Sequence, residues 1–234
     1  MTKEQVDLKV DWCSYDAAKY AVEHWHYSKC LPCCKTVKIG IWENDKFIGV
    51  IIFSWGATST LVKQYGLVMT EGCELTRVAL NDHITQVSKL VSIAIKFLKN
   101  KNPGLKLIVS FADPEQNHVG TIYQAGNWIF TGITSKSISY YDKSGRKYHP
   151  RNVGYIKKRA ILISPTKCRK VITDGKYRYL MPLNKKMRKQ ILPLSKPYPK
   201  RVKQAISDDQ FESGGAEPTH TLQKTYGGIK DALE

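Results

Sequence analysis

At 234 residues, 42% of them hydrophobic, the chain has room for one domain of about 150 residues with a proper core, plus extensions. Its formal net charge of +17 argues for a polyanionic partner, nucleic acid being the commonest. No apolar run approaches the ~18 residues of a membrane span, and the N-terminus lacks the charged-then-apolar order of a signal peptide, so the six cysteines are expected as reduced thiols in a cytoplasm.

Residues 13–27 read as a helix. Ser14 suits its N-cap, and Ala17, Ala18, Ala21, Val22 and Trp25 recur on one face. Pro32 marks a loop. Lys38–Phe53 then reads as a hairpin turning at Asn44-Asp45. Ser54–Gly72 is a long connection rich in Gly, Ser and Thr, of a length that is usually functional. Cys73–Leu80 is another strand, with Leu75, Val78 and Leu80 in apolar surroundings and Glu74, Thr76 or Arg77 presented elsewhere. Thr85–Lys99 is an amphipathic helix whose stripe is Val87, Leu90, Val91, Ala94, Ile95 and Leu98; Pro103-Gly104 breaks it. Leu105–Phe111 reads as a strand buried on both faces, which ends at Asp113, turns at Pro114 and enters a short helix stopped by Gly126. Trp128–Gly132 and Ser137–Tyr141 read as two more strands forming a hairpin, and Lys176–Met181 as a further strand. This order predicts an α/β (α+β) fold: a mixed, twisted sheet flanked by helices, with one parallel pair joined by the 85–99 crossover.

The charge is unevenly spread. Residues 136–203 hold 21 Lys/Arg against two acids, whereas residues 1–135 hold 14 against 12. Among those cations Tyr140, Tyr141, Tyr148, Tyr155, Tyr177, Tyr179 and Tyr198 offer stacking faces to bases. Pro193, Pro197 and Pro199 mark an extended basic arm. The expected organisation is a catalytic domain over 1–155, a basic DNA-binding extension over 156–206 and a disordered acidic tail over 207–234.

His26-Tyr-Ser28 followed by Pro32, Phe47–Phe53, Cys73–Leu80, Leu105–Pro114 and Tyr123-Gln-Ala-Gly-Asn-Trp128 together resemble the Mom family of bacteriophage DNA-modification proteins. Tyr177–Pro182 and Lys196–Arg201 look like the same family's C-terminal extension. The element order and the Ile122–Trp128 turn also resemble the acyl-CoA-dependent N-acetyltransferase (GNAT) fold. The resemblance covers roughly residues 12–203. It implies a GNAT-like core that binds acetyl-CoA and converts adenine in double-stranded phage DNA to N6-(methylcarbamoyl)adenine, blocking host restriction endonucleases. One departure stands out: GNAT enzymes carry a Gly-rich pyrophosphate loop where this chain has Asn81–Ser88, which has no glycine. Backbone amides at the helix start remain as phosphate donors.

The exocyclic amine of adenine is a poor nucleophile, so transfer to it needs a base or a strong electrophile, and charge stabilisation at the carbonyl. On that footing Asp113 orients N6 or takes its proton, with capping of the Pro114 turn as its bland role. His26 ends the first helix, where this fold contacts substrate. It suits a general base, or an imidazolium at a helix C-terminus. Tyr27 stacks on a base, donates to an oxyanion or fills the core, Ser28 completes the set, and Ser110 reads as a packing residue. Tyr123 resembles the acid that protonates the departing CoA thiolate in many GNAT enzymes. Glu74 and Arg77 lie on the cofactor strand, as a mutual ion pair or with Arg77 on a phosphate. Ser88 serves a phosphate or caps its helix. His24, His26, Cys30, Cys33 and Cys34 form a His-x-His-x3-Cys-x2-Cys-Cys set suited to zinc or iron, but without a second cysteine pair downstream no metal is assigned. Two rival readings stand beside this one: a CoA-dependent N-acetyltransferase acting on a protein or small-molecule amine, and a non-catalytic DNA-binding phage protein. The residues leave open a monomer or a homodimer.

Overall fold

The computed structural model describes residues 6–56, 60–145, 147–148, 153 and 164–201. β1 (Leu8–Trp12) was not announced by the hydrophobic pattern; it alternates half-buried and exposed positions at one edge of the sheet. α1 (Tyr15–Trp25) starts where Ser14 accepts a hydrogen bond from the Ala17 N–H at 3.2 Å, and it buries Ala18, Ala21 and Val22 as their spacing requires. β2 (Thr36–Glu43) and β3 (Lys46–Ser54) form the expected hairpin. Its turn residues Asn44 and Asp45 have φ of 49° and 61°, the left-handed pair that lets a two-residue turn follow the strand twist.

β4 (Gly72–Leu80), α2 (Val87–Lys101) and β5 (Leu107–Ala112) make the crossover, with β5 parallel to β4. The pairing of β3 with β4 shifts register between Ile52 and Phe53, opposite Arg77 and Leu75, which leaves Thr76 as an extra residue. This bulge explains why Leu75, Val78 and Leu80 share one core despite their odd spacing, since one inserted residue reverses the alternation. α3 (Thr121–Ala125) follows, then β6 (Ile129–Ile133), β7 (Ser137–Tyr141), β8 (Lys147–Tyr148), β9 (Arg169–Thr173), β10 (Tyr177–Pro182) and α4 (Lys185–Ile191).

Among the described residues seven strands form one mixed sheet in the order β1-β2-β3-β4-β5-β10-β6, antiparallel throughout except for β4–β5. α2 packs Leu90, Val91, Ala94, Ile95 and Leu98 on the face that carries Ile51, Phe53 and Ile108. α1 covers Val50, Ile52 and Ala79 on the other face. α4 and the 62–67 connection cover Leu107, Val109, Ile129 and Leu180. Among the described residues no helix is long and apolar enough to cross a membrane.

The hairpin expected between β6 and β7 does not form. β6 pairs with β10 in the large sheet, whereas β7 pairs with β9 and β8 in a separate three-stranded sheet ordered β8-β7-β9. The reason lies in the two links. Thr134 N–H donates to the Lys176 carbonyl and Lys176 N–H to the Thr134 hydroxyl, both at 2.9 Å, so residues 129–141 run antiparallel to residues 169–182 as one interrupted ribbon. Gly175 allows that approach, because a Cβ there would meet the Thr134 carbonyl oxygen at 1.7 Å. Tyr179 and Leu180 are fully buried, which draws β10 to an inner position between β5 and β6. The basic part of the chain therefore supplies a core strand and a packed helix. Tyr155 and the tail expected over 207–234 lie outside the described residues.

Candidate active site

β4 and β5 pair from Gly72 with Leu107 to Leu75 with Ser110, and there the pairing ends. The Thr76 bulge marks the point of parting, and a cleft of about 470 Å³ opens beyond it. One wall is Thr76, Arg77 and Val78; another is Phe111 and Ala112 with residues 118–123; the third is Trp25, His26 and Tyr27 from the end of α1. Chemistry at the carboxyl ends of adjacent strands is where open α/β sheets place it.

His26 is buried here, 8% exposed. Burial first, then the positive charges of Arg77, His118 and Lys29, lower its pKa to about 4. The imidazole is therefore neutral near pH 7. The Ser28 backbone N–H donates to Nδ1 at 3.1 Å, and the Ser28 hydroxyl lies 2.8 Å from the same nitrogen. A backbone N–H can only donate, so Nδ1 holds a lone pair and the neutral ring carries its proton on Nε2. Tyr27 stacks obliquely on His26 at 4.3 Å between ring centroids, meets His118 edge-on at 5.4 Å, and stays 48% exposed.

Tyr123 is buried in the cleft floor, and that burial pushes its pKa up to about 12, keeping the phenol protonated. Ser110 Oγ lies 2.7 Å from the Tyr123 hydroxyl and 2.8 Å from the Leu75 carbonyl oxygen. A serine has one proton and a carbonyl only accepts. With both bonds made, Ser110 donates to Leu75 and the Tyr123 proton faces Ser110. Arg77 spans the cleft wall: Nη1 donates to the Thr76 carbonyl at 2.8 Å and Nε to the Cys30 carbonyl at 3.4 Å, tying the segment after α1 to β4.

The remaining sequence candidates fall elsewhere. Asp113 follows the lining residue Ala112 but does not itself line the cleft. Oδ1 accepts from the Glu115 N–H at 3.1 Å, Oδ2 pairs with Lys176 at 3.0 Å, and its carbonyl takes the Gln116 and His118 amides. Glu74 sits on β4 opposite Ser54, below the parting point, and Ser88 lies in the first turn of α2; neither lines the cleft. The five candidate metal ligands are not gathered. His24 Nδ1 lies 2.8 Å from the Tyr20 carbonyl with its ring stacked on Tyr20, His26 Nδ1 is taken by Ser28, and Cys30, Cys33 and Cys34 are exposed free thiols. Among the described residues no three His, Cys, Asp or Glu side chains come together as a ligand set for zinc or iron.

Two features escaped the sequence reading. His118 lines the cleft, and its place after the Asp113 turn was the available signal. Glu43 has no such signal. It ends β2, is 3% exposed, and its carboxylate accepts from the Ile84 N–H at 2.7 Å and the Thr85 N–H at 2.8 Å. Burial alone would raise its pKa, but these amides and the Thr85 hydroxyl outweigh it and hold the carboxyl below the usual range. The loop before α2 thus already holds an anion, an internal one. The Ile84 and Thr85 amides are therefore taken by an internal carboxylate and are not free to hold a phosphate.

The basic arm reaches the same region. Lys196 N–H donates to the Phe130 carbonyl at 2.8 Å, the Tyr198 hydroxyl to the Trp128 carbonyl at 2.7 Å, and the Gln124 amide to the Pro199 carbonyl at 3.1 Å. These bonds lay the arm against α3 and bring Arg201 into the cleft wall.

Comparison with solved structures finds weak likeness to acetyltransferases. A spermidine N-acetyltransferase from Vibrio cholerae, solved with CoA and spermine, is 8% identical over 75% of this chain and 95% of its own, with a TM-score of 0.43. The N-acyl amino acid synthase FeeM from uncultured soil microbes is also 8% identical, covering 79% and 94%, with a TM-score of 0.44. Among curated proteins, the methylcarbamoylase Mom of Escherichia phage Mu is 27% identical over 205 residues, 83% of this chain and 84% of that protein. The sequence pattern of the Mom protein family matches residues 7–200, and the chain belongs to that family.

Proposed function

We propose that this protein modifies the N6 amine of adenine in double-stranded DNA to N6-(methylcarbamoyl)adenine, protecting phage DNA from restriction in the host cytoplasm. The observation that carries this reading is the delivery of the basic arm, through Arg201, to the wall of a cleft whose wall also holds a neutral histidine. A basic arm beside an open cleft fits a polymer whose target base swings out of the stack. Tyr27, half exposed at the cleft, offers the flipped purine a stacking face.

The roles follow from the hydrogen bonds. N6 attacks the carbonyl carbon of the donor and negative charge builds on the carbonyl oxygen; as the carbonyl re-forms, the bond to the donor's leaving group breaks, and that group takes up the N6 proton. His26, with its proton on Nε2, donates to that oxygen, as a neutral donor that needs no charge of its own. Ser28 fixes the tautomer. Asp113 is a positioning residue, setting the turn that carries His118 through its carboxylate cap and carbonyl. Tyr123 and Ser110 hold the parted strands at the cleft floor. The reagent class this chemistry calls for is a carbonyl donor that already carries the nitrogen of the methylcarbamoyl group, since an acetyl donor would leave N6-acetyladenine. With the Ile84 and Thr85 amides taken by Glu43, no step is assigned to CoA.

Nucleoside mass spectrometry of DNA from cells expressing the chain tests the proposal. A modified deoxyadenosine made by the wild type and missing with His26→Ala supports it. Unmodified DNA from cells containing soluble wild-type protein overturns it.

A further inference from the structure

The three-stranded sheet β8-β7-β9 takes no part in the cleft, yet it carries a surface that solvation does not explain. Alternation places Ile138 and Tyr140 of β7 and Lys170 and Ile172 of β9 on one face. Ile138 is directly opposite Ile172, and Tyr140 lies opposite Lys170 on one side and Tyr148 on the other. The other face turns inward: Ser139 and Thr173 are buried, and the Ser137 and Thr173 hydroxyls meet at 2.8 Å. Ile138 remains 38% exposed and Ile172 66%. A cross-strand isoleucine pair open to water is an unfavourable arrangement unless something covers it.

The surroundings say what does. Lys170 is exposed on this face, Lys143 and Lys167 are exposed in the connections at one end of it, and Arg169 is exposed on the opposite face. The two acids of the ribbon are both engaged, Asp142 with Ser144 and Tyr148, and Asp174 with Lys136 at 3.6 Å. A cover that is apolar at its centre and anionic at its margins matches the floor and walls of the DNA major groove. Thymine C5-methyl groups lie on that floor and phosphates line both sides, and the groove admits a two-stranded β-ribbon. Among the described residues β8 spans two residues and pairs only with Tyr140 and Tyr141, so there the isoleucine stretch is two strands wide.

We infer that the β7–β9 ribbon is a DNA-reading element that lies in the major groove with Ile138 and Ile172 against thymine methyl groups and Lys170, Lys143 and Lys167 toward phosphates. This rests on the reading of the chain as a DNA-modifying protein and names the part of it that holds duplex sequence. No residue of this surface lines the cleft.

The test is fluorescence anisotropy with two duplexes of one sequence, one containing thymine and one with uracil in its place, which removes only the methyl groups. The wild type should bind the thymine duplex about fourfold more tightly for each methyl it covers. Ile138→Ala/Ile172→Ala should lose that preference, while Lys170→Gln keeps it and reduces the salt slope by about one. Circular dichroism checks folding, and Ile172→Thr, which retains β-branching, serves if the double variant fails to fold. Equal wild-type binding to both duplexes overturns the inference and leaves the proposed activity standing. So does conversion of a dimer to a monomer by the double variant, because that assigns the surface to self-association. Absence of any duplex binding by the wild type overturns both.

Discussion

The cleft and the outlying ribbon are built from the same side-chain types, tyrosines with cations and a few hydroxyls, and differ in how much water reaches them. In the cleft, burial sets the chemistry: it keeps Tyr123 protonated with a pKa of about 12 and His26 neutral with a pKa of about 4. On the ribbon, Lys170 and Ile172 stand in solvent, where their value is as contact groups. Reactive groups are made by enclosure and binding groups by exposure.

Activity separates the two regions most. His26→Ala should lower DNA modification by about a hundredfold or more, the usual effect of deleting an oxyanion donor. His26→Gln keeps an N–H donor and should retain measurable activity, whereas loss equal to that of His26→Ala would move His26 to the role of base. Ribbon variants should weaken modification only as far as they weaken DNA binding, and saturating DNA should restore them. Nucleoside mass spectrometry at two DNA concentrations reads both.

Two glycines sharpen the contrast in stability. Gly120, at the start of α3 in the cleft wall, has φ of +79°, and an added Cβ would meet the Tyr179 ring at 2.4 Å. Gly145, in the turn that ends β7, has φ of +82° with nothing within 4 Å. Both alanine variants carry backbone strain, but only Gly120→Ala adds a clash with a fully buried ring. Urea denaturation should show a loss of about 2–4 kcal/mol for Gly120→Ala and about 1 kcal/mol for Gly145→Ala. Equal losses would mean that the cleft wall is as yielding as the ribbon turn.

The pH dependence of folding follows from His26. Its folded pKa of about 4 lies below the ordinary 6.5, so the unfolded chain binds the extra proton between those values. Its contribution is fully present above pH 6.5, is lost as pH falls from 6.5 to 4, and changes no further below that. The amount is on the order of 3 kcal/mol. His26→Gln should flatten the corresponding slope of unfolding free energy between pH 6.5 and 4, and no ribbon substitution should.

Much of this arrangement was legible in the sequence. The α1 cap at Ser14, the Asn44-Asp45 turn and the α2 stripe are local signals, and each formed where the residues placed it. Family membership was readable for a different reason, since it rested on several short motifs occurring together. The β6–β7 hairpin that the local pattern predicts does not form, because strand partners are chosen by burial at a distance: nothing between residues 128 and 141 reveals that Tyr179 and Leu180 will be drawn between β5 and β6. His26, Tyr27 and Tyr123 share the cleft, while Asp113 is held by Lys176, a residue 63 positions later that local reading cannot pair with it.

The smallest effect concerns Glu43, and it tests whether the loop before α2 belongs with the enclosed or the exposed half of the comparison. Glycine-free and capped by a buried carboxylate, the loop should behave as closed structure. In an amide NMR spectrum the Ile84 and Thr85 signals should shift in Glu43→Gln, because a neutral amide oxygen is a weaker acceptor than a carboxylate at 2.7 Å and 2.8 Å. The stability loss should be only about 1 kcal/mol, since the acceptor geometry is kept. Addition of CoA to the wild type should leave both signals in place, because displacing Glu43 would strand a buried charge. If CoA moves them, the carboxylate is a removable occupant, and the loop is a phosphate site held shut until the donor arrives.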